Sequence, residues 1–299
     1  MNRKKQLFLI ISFLIFFLII FVFFKKPKDF IELTQLHDNS ASQMMGYFIK
    51  TNNDKIIVID GGTVDDSKNL QKYINDNGGK VDYWFLTHFH LDHSGALTDI
   101  INNTSIPIEN IIYHECPKEM IEKYETGRIP QYELVHIALQ NDRVKQKIID
   151  PKENQIFEFS NNVNIKIISV YENDITENLG NNTSTVFKMN VNDKSILFLG
   201  DTGIQSSDKL LKNHKNDLKS DYVQMAHHGQ NGATFELYRT INPTYCLWPT
   251  PAWLWDNNPD GGEFNSGPYK TIETRDWMKQ LNVKENYIEK DGDITIKIE

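Results

Sequence analysis

Three histidines and an aspartate fall within six residues of Thr87-His88-Phe89-His90-Leu91-Asp92-His93, directly after the strand-like segment Val81–Thr87. Imidazole nitrogens and carboxylate oxygens without thiolates suit Zn²⁺, with Mn or Fe as alternatives. A strand ending at Thr87 delivers His88, His90 and Asp92 into the loop at its carboxyl end, where ligands gather in α/β folds. His90 and His93 cannot share one helical face with His88, so a turned loop must bring them together. A lone histidine is most often structural, but four donors at this spacing read as a two-metal hydrolytic centre.

The elements that must carry these residues alternate along the chain. Strands are expected at Met45–Lys50 and Lys55–Asp60, and Gly61-Gly62 then breaks the chain before a helix over 66–77. A helix is expected to start near Ser94, followed by a short strand at Ile111–His114 and an inserted helical pair over 117–125 and 131–147. Strands at Gln155–Phe159, Val163–Val170, Ser184–Met189 and Ser195–Leu199 precede a helix over 206–218, strand Tyr222–Ala226, a helix over 234–240 and strand Tyr245–Trp248. A helix over 271–281 and a terminal hairpin, Tyr287–Lys290 with Ile294–Ile298 turned at Asp291-Gly292, complete the pattern. Strand pairs with intervening helices fit a layered α/β sandwich.

Ahead of this body, Leu7–Phe24 is apolar except for Ser12 and is bracketed by Arg3-Lys4-Lys5 and Lys25-Lys26. Such a helix would be roughly 27 Å long, near the thickness of a hydrocarbon core. Bulky Val22-Phe23-Phe24 before the lysines disfavours a cleaved signal peptide. Residues 1–28 thus read as an N-terminal transmembrane anchor, 29–40 as a short polar tether and 41–299 as one hydrolase domain. Basic residues on both sides leave the orientation rule silent, while a short tail before one span favours a single-pass cell-membrane protein with its domain outside the cytoplasm. Removing the six basic residues up to Lys28 from 32 leaves 26 against 40 acidic residues, a formal charge of about −14. That disfavours extended contact with nucleic acid. The two cysteines, Cys116 and Cys246, read as a possible pair or as unpaired small hydrophobes, with their strand-like positions favouring the second.

The histidine run, Asp60-Gly61-Gly62 after one strand, Leu199-Gly200-Asp201-Thr202-Gly203 after another and His227-His228-Gly229 after a third resemble the metallo-β-lactamase-fold hydrolases over about residues 42–250. The resemblance implies a four-layer αββα sandwich and two divalent ions, one held by His88, His90 and Asp201, the other by Asp92, His93, Asp201 and one of His227 and His228. Adjacent histidines leaving an extended strand point oppositely, which fits one ligand and one group outside the ligand set. His228 reads as the ligand and His227 as a group that supports the ligands or contacts substrate, while the sequence alone leaves open which is which. Asp60 reads as the carboxylate that orients a histidine ligand. Asp92, Asp201 and His227 are the candidate catalytic groups: either carboxylate could accept a proton or steer the nucleophile, and His227 could stabilise charge or assist the leaving group.

One position departs from the family pattern. Many members have a further histidine before the bridging aspartate, but this chain offers only His114 and His136, neither in a suitable turn, and reads Gly180-Asn181-Asn182-Thr183-Ser184-Thr185 there instead. Asn181 and Asn182 could hold water or a substrate oxygen. This makes the chain more similar to the competence-protein-like branch and the phosphorylcholine esterases, which implies a small-molecule or cell-envelope phosphoester substrate and a membrane-anchored phosphodiesterase. A lactonase or β-lactamase-like carbonyl hydrolase, an anchored nuclease and a noncatalytic metal-binding protein are the alternatives. Trp248, Trp253 and Trp255, with Asp256, Asp260 and Glu263 after them, could cage a quaternary amine or form a hydrophobic cluster under a loop.

Overall fold

A computed structural model describes residues 28–299. The anchor expected over 1–28 lies outside the described residues except for its last position. Among the described residues no helix is long and apolar enough to cross a membrane.

Two mixed sheets of seven strands each form the centre. The first contains β1 (Ile31–Gln35), β2 (Gly46–Thr51), β3 (Ile56–Asp60), β4 (Tyr83–Phe85), β5 (Ile111–Ile112), β6 (Ile148–Ile149) and β14 (Ile294–Ile298), with β14 beside β1 and the rest in chain order. The second contains β7 (Ile156–Glu158), β8 (Val163–Ser169), β9 (Val186–Val191), β10 (Lys194–Phe198), β11 (Tyr222–Gln224), β12 (Tyr245–Trp248) and β13 (Glu285–Ile288), ordered from β7 to β13. Each sheet repeats one plan. Antiparallel pairing runs from β14 through β1 and β2 to β3, then parallel pairing continues to β6. In the second sheet antiparallel pairing runs from β7 to β10 and parallel pairing from β10 to β13.

The strands are apolar on both faces, so each sheet buries two layers. Tyr47, Ile49, Ile57, Ile59 and Phe85 of the first sheet meet Ile165, Ile167, Phe187, Met189 and Phe198 of the second. On the outer face of the first sheet, Phe48, Val58 and Trp84 pack against α1 (Ser67–Asp76), α2 (Leu91–Asn103) and the insertion helices α3 (Lys118–Tyr124) and α4 (Ile129–Leu139). A short helix, α5 (Leu179–Asn182), precedes β9. On the outer face of the second sheet, Leu197, Leu199, Val223 and Trp248 pack against α6 (Ile204–Asn213), α7 (Lys215–Leu218), α8 (Phe235–Ile241) and α10 (Thr271–Gln280), with α9 (Ala252–Trp255) between the last two in sequence. The molecule is an α/β sandwich of two mixed sheets flanked by helices.

Four expectations need correction. The 29–40 tether contains β1, whose alternate residues Ile31 and Leu33 are fully buried between the sheets. The terminal hairpin does not form, because β13 gains a parallel partner in β12 while β14 gains an antiparallel one in β1, placing them in different sheets. The helix over 131–147 stops at Leu139, and Ile148–Ile149 instead adds the edge strand β6. Finally, α2 starts at Leu91 rather than near Ser94, so Asp92 and His93 belong to its first turn. Cys116 and Cys246 are unbonded and buried in different layers.

Candidate metal centre

The site forms where the antiparallel part of each sheet gives way to the parallel part. β3 ends at Asp60 and β4 leads to His88, while β10 leads to Asp201 and β11 to His227 and His228. The chain leaves several of these strands through left-handed backbone: Asp60 has φ +55°, Gly200 +55°, His227 +50° and His228 +55°. Such angles are costly for a side chain with a Cβ, and packing must hold them. At Gly200 a Cβ would come within 2.6 Å of Ser184 Oγ, so only glycine lets the chain turn there toward Asp201. The left-handed pair at His227 and His228 replaces the extended geometry expected of them.

Two sets of donors converge, Asp92, His93, Asp201 and His228 in one and His88, His90 and Asp201 in the other, each with its ligand atoms within 4.8 Å of one another. Asp201 belongs to both. Its Oδ1 lies 3.2 Å from His93 Nε2, and its Oδ2 lies 3.8 Å from His88 Nε2 and 3.7 Å from His228 Nε2. His228 Nε2 also lies 3.3 Å from Asp92 Oδ2.

Three rings turn Nδ1 outward and leave Nε2 for the centre. His93 Nδ1 donates to Asp60 Oδ2 at 2.7 Å, His228 Nδ1 to the Pro249 carbonyl at 2.9 Å and His88 Nδ1 to Thr87 Oγ1 at 3.1 Å. Asp60 also accepts from the Thr87 N–H at 2.7 Å and its hydroxyl at 2.8 Å. One buried carboxylate therefore positions both ends of the histidine loop. The inward atoms, Nε2 of His88, His90, His93 and His228 and both oxygens of Asp201, are buried and have no hydrogen-bond partner. Buried polar atoms are nearly always satisfied, so six unsatisfied donors of electrons facing one centre fit divalent cations between them. Thiolates are absent from both sets, which suits Zn²⁺, Mn or Fe without choosing among them.

The electrostatics are divided across the cluster. Burial, with His93 and His90 beside it, holds the His88 imidazole well below its ordinary value. Burial likewise pushes His90 down to about 4, opposed by Asp92 and reinforced by Arg128. Burial opposes charge on His93 too, yet Asp201 and Asp60 outweigh it and raise that imidazole well above its usual range.

A cavity of about 300 Å³ opens over the cluster, lined among others by Gln43, Thr63, Arg128, Gln131, Asn181 and His227. His227 stands at its wall, with Nε2 3.9 Å from Asp201 Oδ2 and accepting from the Asn181 amide at 3.3 Å. Asn182 does not line the cavity. Its Oδ1 accepts from the Gly203 and Ser206 N–H groups at 2.9 and 3.3 Å, tying the start of α6 beside Asp201. Asn182 thus braces the start of α6, while Asn181, one residue earlier in the α5 turn, faces the cavity. Gln43, Arg128 and Gln131 carried no motif, being single polar residues on a loop and on the insertion; only the insertion's expected place over one side pointed toward them.

The tryptophan segment lies elsewhere. Trp248 is buried with its Nε1 donating to Asn286, Trp255 lies edge-on to Trp248 and under the Arg275 guanidinium, and Trp253 packs on Tyr269. None of the three lines the cavity over the metal cluster. His114 and His136 are also remote from both ligand sets, paired with Asp150 and Glu115.

Residues 45–164 match the profile of the Metallo-beta-lactamase superfamily. The metallo-beta-lactamase fold protein YhfI from Bacillus subtilis superposes with a TM-score of 0.56 at 14% identity, covering 91% of this chain and 100% of that one. CmlA, a diiron beta-hydroxylase from Streptomyces venezuelae, superposes with a TM-score of 0.53 at 11% identity, covering 91% of this chain and 55% of that one. This chain thus spans little more than half of CmlA. No curated protein matches it. Over residues 45–164 the chain is thus similar to the Metallo-beta-lactamase superfamily, and its paired sheets share the fold of these structures, with no particular branch indicated.

Proposed function

We propose that the protein is a two-metal hydrolase acting on a phosphodiester or other phosphoester, and that Leu7–Phe24 tethers it to a membrane with the domain outside the cytoplasm. The observation that carries the hydrolytic reading is the set of unpartnered Nε2 and carboxylate atoms facing one centre beneath an open cavity. Bound divalent ions would supply an acidified water and a Lewis acid for the ester oxygen. His88, His90 and Asp201 would hold one ion and Asp92, His93, Asp201 and His228 the other. Asp60, Thr87 and the Pro249 carbonyl keep the ligand rings in the tautomer and orientation this requires. Gln43 donates to Asp92 Oδ2 at 3.0 Å and so leaves Oδ1 free to accept a proton from, or steer, the attacking water. Asp201 is the second candidate for that role. His227, on the cavity wall, is placed to stabilise charge on the departing group. The phosphoester reading is supported by the Gly180–Thr185 segment, which sets Asn181 against the cavity where many family members have a histidine.

The test uses the full chain in detergent with its metal content measured and bis(p-nitrophenyl) phosphate as substrate. Two zinc, manganese or iron ions per chain with turnover are expected. His90→Ala should lower kcat/KM by more than roughly 100-fold, since losing only a hydrogen bond that supports a ligand costs about 10- to 100-fold. A metal-loaded protein inactive on phosphodiesters, lactones and carbonyl esters would move the assignment to a noncatalytic metal-binding protein.

A further inference from the structure

The ligand clusters leave the guanidinium of Arg128 unexplained, and from its setting we propose that it binds the non-bridging oxygens of an anionic phosphoryl group on the substrate. This rests on the hydrolase reading above and adds to it a residue that selects charged over neutral esters.

Arg128 sits just before α4, on the insertion, and among the described residues it is the one arginine or lysine lining the cavity. Its Nε lies 3.7 Å from Glu125 Oε1, and the other oxygen of Glu125 accepts from the Gly180 N–H. The guanidinium is thereby tethered on one side to the loop over His90. Its two terminal nitrogens make no hydrogen bond to described residues, so the fork that matches a phosphoryl or carboxylate oxygen pair is available to the cavity.

The surroundings give this charge a task. Asp92 and Asp201 line the same cavity and would repel an anionic ester wherever cations did not offset them. Ions bound below would offset them at the base of the cavity, and Arg128 does so at the rim. Two amide oxygens complete the lining, Asn181 Oδ1 and Gln131 Oε1, both buried and unpartnered, with Asn181 only 4% exposed. These acceptors suit hydroxyl or amine donors on the organic part of the ester. The cavity therefore offers a cationic fork for the oxyanion and acceptors for a polar esterified group.

Calorimetry on zinc-loaded full-length protein, with inorganic phosphate and separately acetate as probes, tests the assignment without turnover. Arg128→Gln should weaken phosphate binding roughly 10-fold, the lower end expected for losing charge-assisted hydrogen bonds at a half-exposed site. Arg128→Lys, which keeps the charge without the fork, should fall between, and acetate should lose less than phosphate. In kinetics, Arg128→Gln should lower the ratio of kcat/KM for bis(p-nitrophenyl) phosphate over neutral p-nitrophenyl acetate by a similar factor, carried by KM. Equal phosphate affinity in wild type and Arg128→Gln, or no phosphate binding by wild type, overturns the proposal. A loss as large for acetate as for phosphate makes the fork a carboxylate site and overturns the phosphoryl assignment. Phosphate binding that depends on Arg128 in a protein with no hydrolytic activity would instead count against the hydrolase reading alone.

Discussion

At the scale of single residues, the site depends as much on what is missing as on what is present. Gly180 has no side chain where a Cβ would stand 2.3 Å from His90 Nε2. Gly180→Ala should therefore push the His90 ring off its position and lower metal occupancy and kcat/KM by roughly 10- to 100-fold, the scale of a 1 Å misplacement. Gly127→Ala, on the same side of the molecule with nothing within 4 Å of its added Cβ, is the control and should match wild type in metal content. The ligand types were legible in sequence because His88-x-His90-x-Asp92-His93 concentrates them locally. The different settings of His227 and His228 were not legible in sequence, since both residues are left-handed and not extended, and only His228 bonds the Pro249 carbonyl and joins the Asp92, His93 and Asp201 cluster.

At the scale of elements, the start of α6 shows why neighbouring asparagines divide their tasks. The first N–H groups of a helix lack intrahelical partners, and Asn182 supplies an acceptor to two of them from another segment. Ser184 acts on the same loop by accepting from the Asp201 N–H at 2.9 Å. Asn182→Ala should cost about 1–2 kcal/mol, seen as a fall of several degrees in melting temperature, with a parallel loss of metal affinity as the Asp201 loop loosens. An unchanged melting curve would remove that positioning role. Hydrophobic periodicity revealed most strands and helices, but it could not reveal β1, which is only five residues long, carries Glu32, Thr34 and Gln35 among them, and resembles a linker until the partners β2 and β14 are known. The insertion was legible as helices and not as the bearer of Arg128, because nothing local marks a side chain that turns toward a distant cavity.

At the scale of the whole molecule, a repeated sheet plan appears although the sequence carries no visible repeat, and the metal ligands sit at corresponding corners of the two halves. Polar contacts between the halves reinforce the apolar layer. Glu289, just after β13, accepts from the Asp38 N–H just after β1 at 2.8 Å, while its other oxygen is buried without a partner. Burial pushes this carboxyl well above its ordinary value, outweighing the Asp38 hydrogen bond. Between the ordinary carboxylate range and that raised value the folded state binds more protons than the unfolded state, so this group's contribution to stability falls as pH rises. Glu289→Gln should accordingly stabilise the protein by about 1–3 kcal/mol at neutral pH, with the gain vanishing below about pH 4, where the carboxyl is protonated in both states. Melting temperatures across that range check the sign, and a variant less stable at neutral pH would show that the carboxylate has a partner.

The pairing of β14 with β1 also bears on how the chain is made. Thr34 and Thr295 meet through their hydroxyls at 2.8 Å across 261 positions of sequence. During synthesis β1 and β2 emerge early, while the strand that covers the outer edge of β1 arrives after both sheets have otherwise been translated. Until then β1 presents unpaired backbone groups to any neighbouring strand, and so long-range a closure is intrinsically slow. The outer edge of β1 therefore cannot be covered by β14 until Ile294–Ile298 has been synthesised.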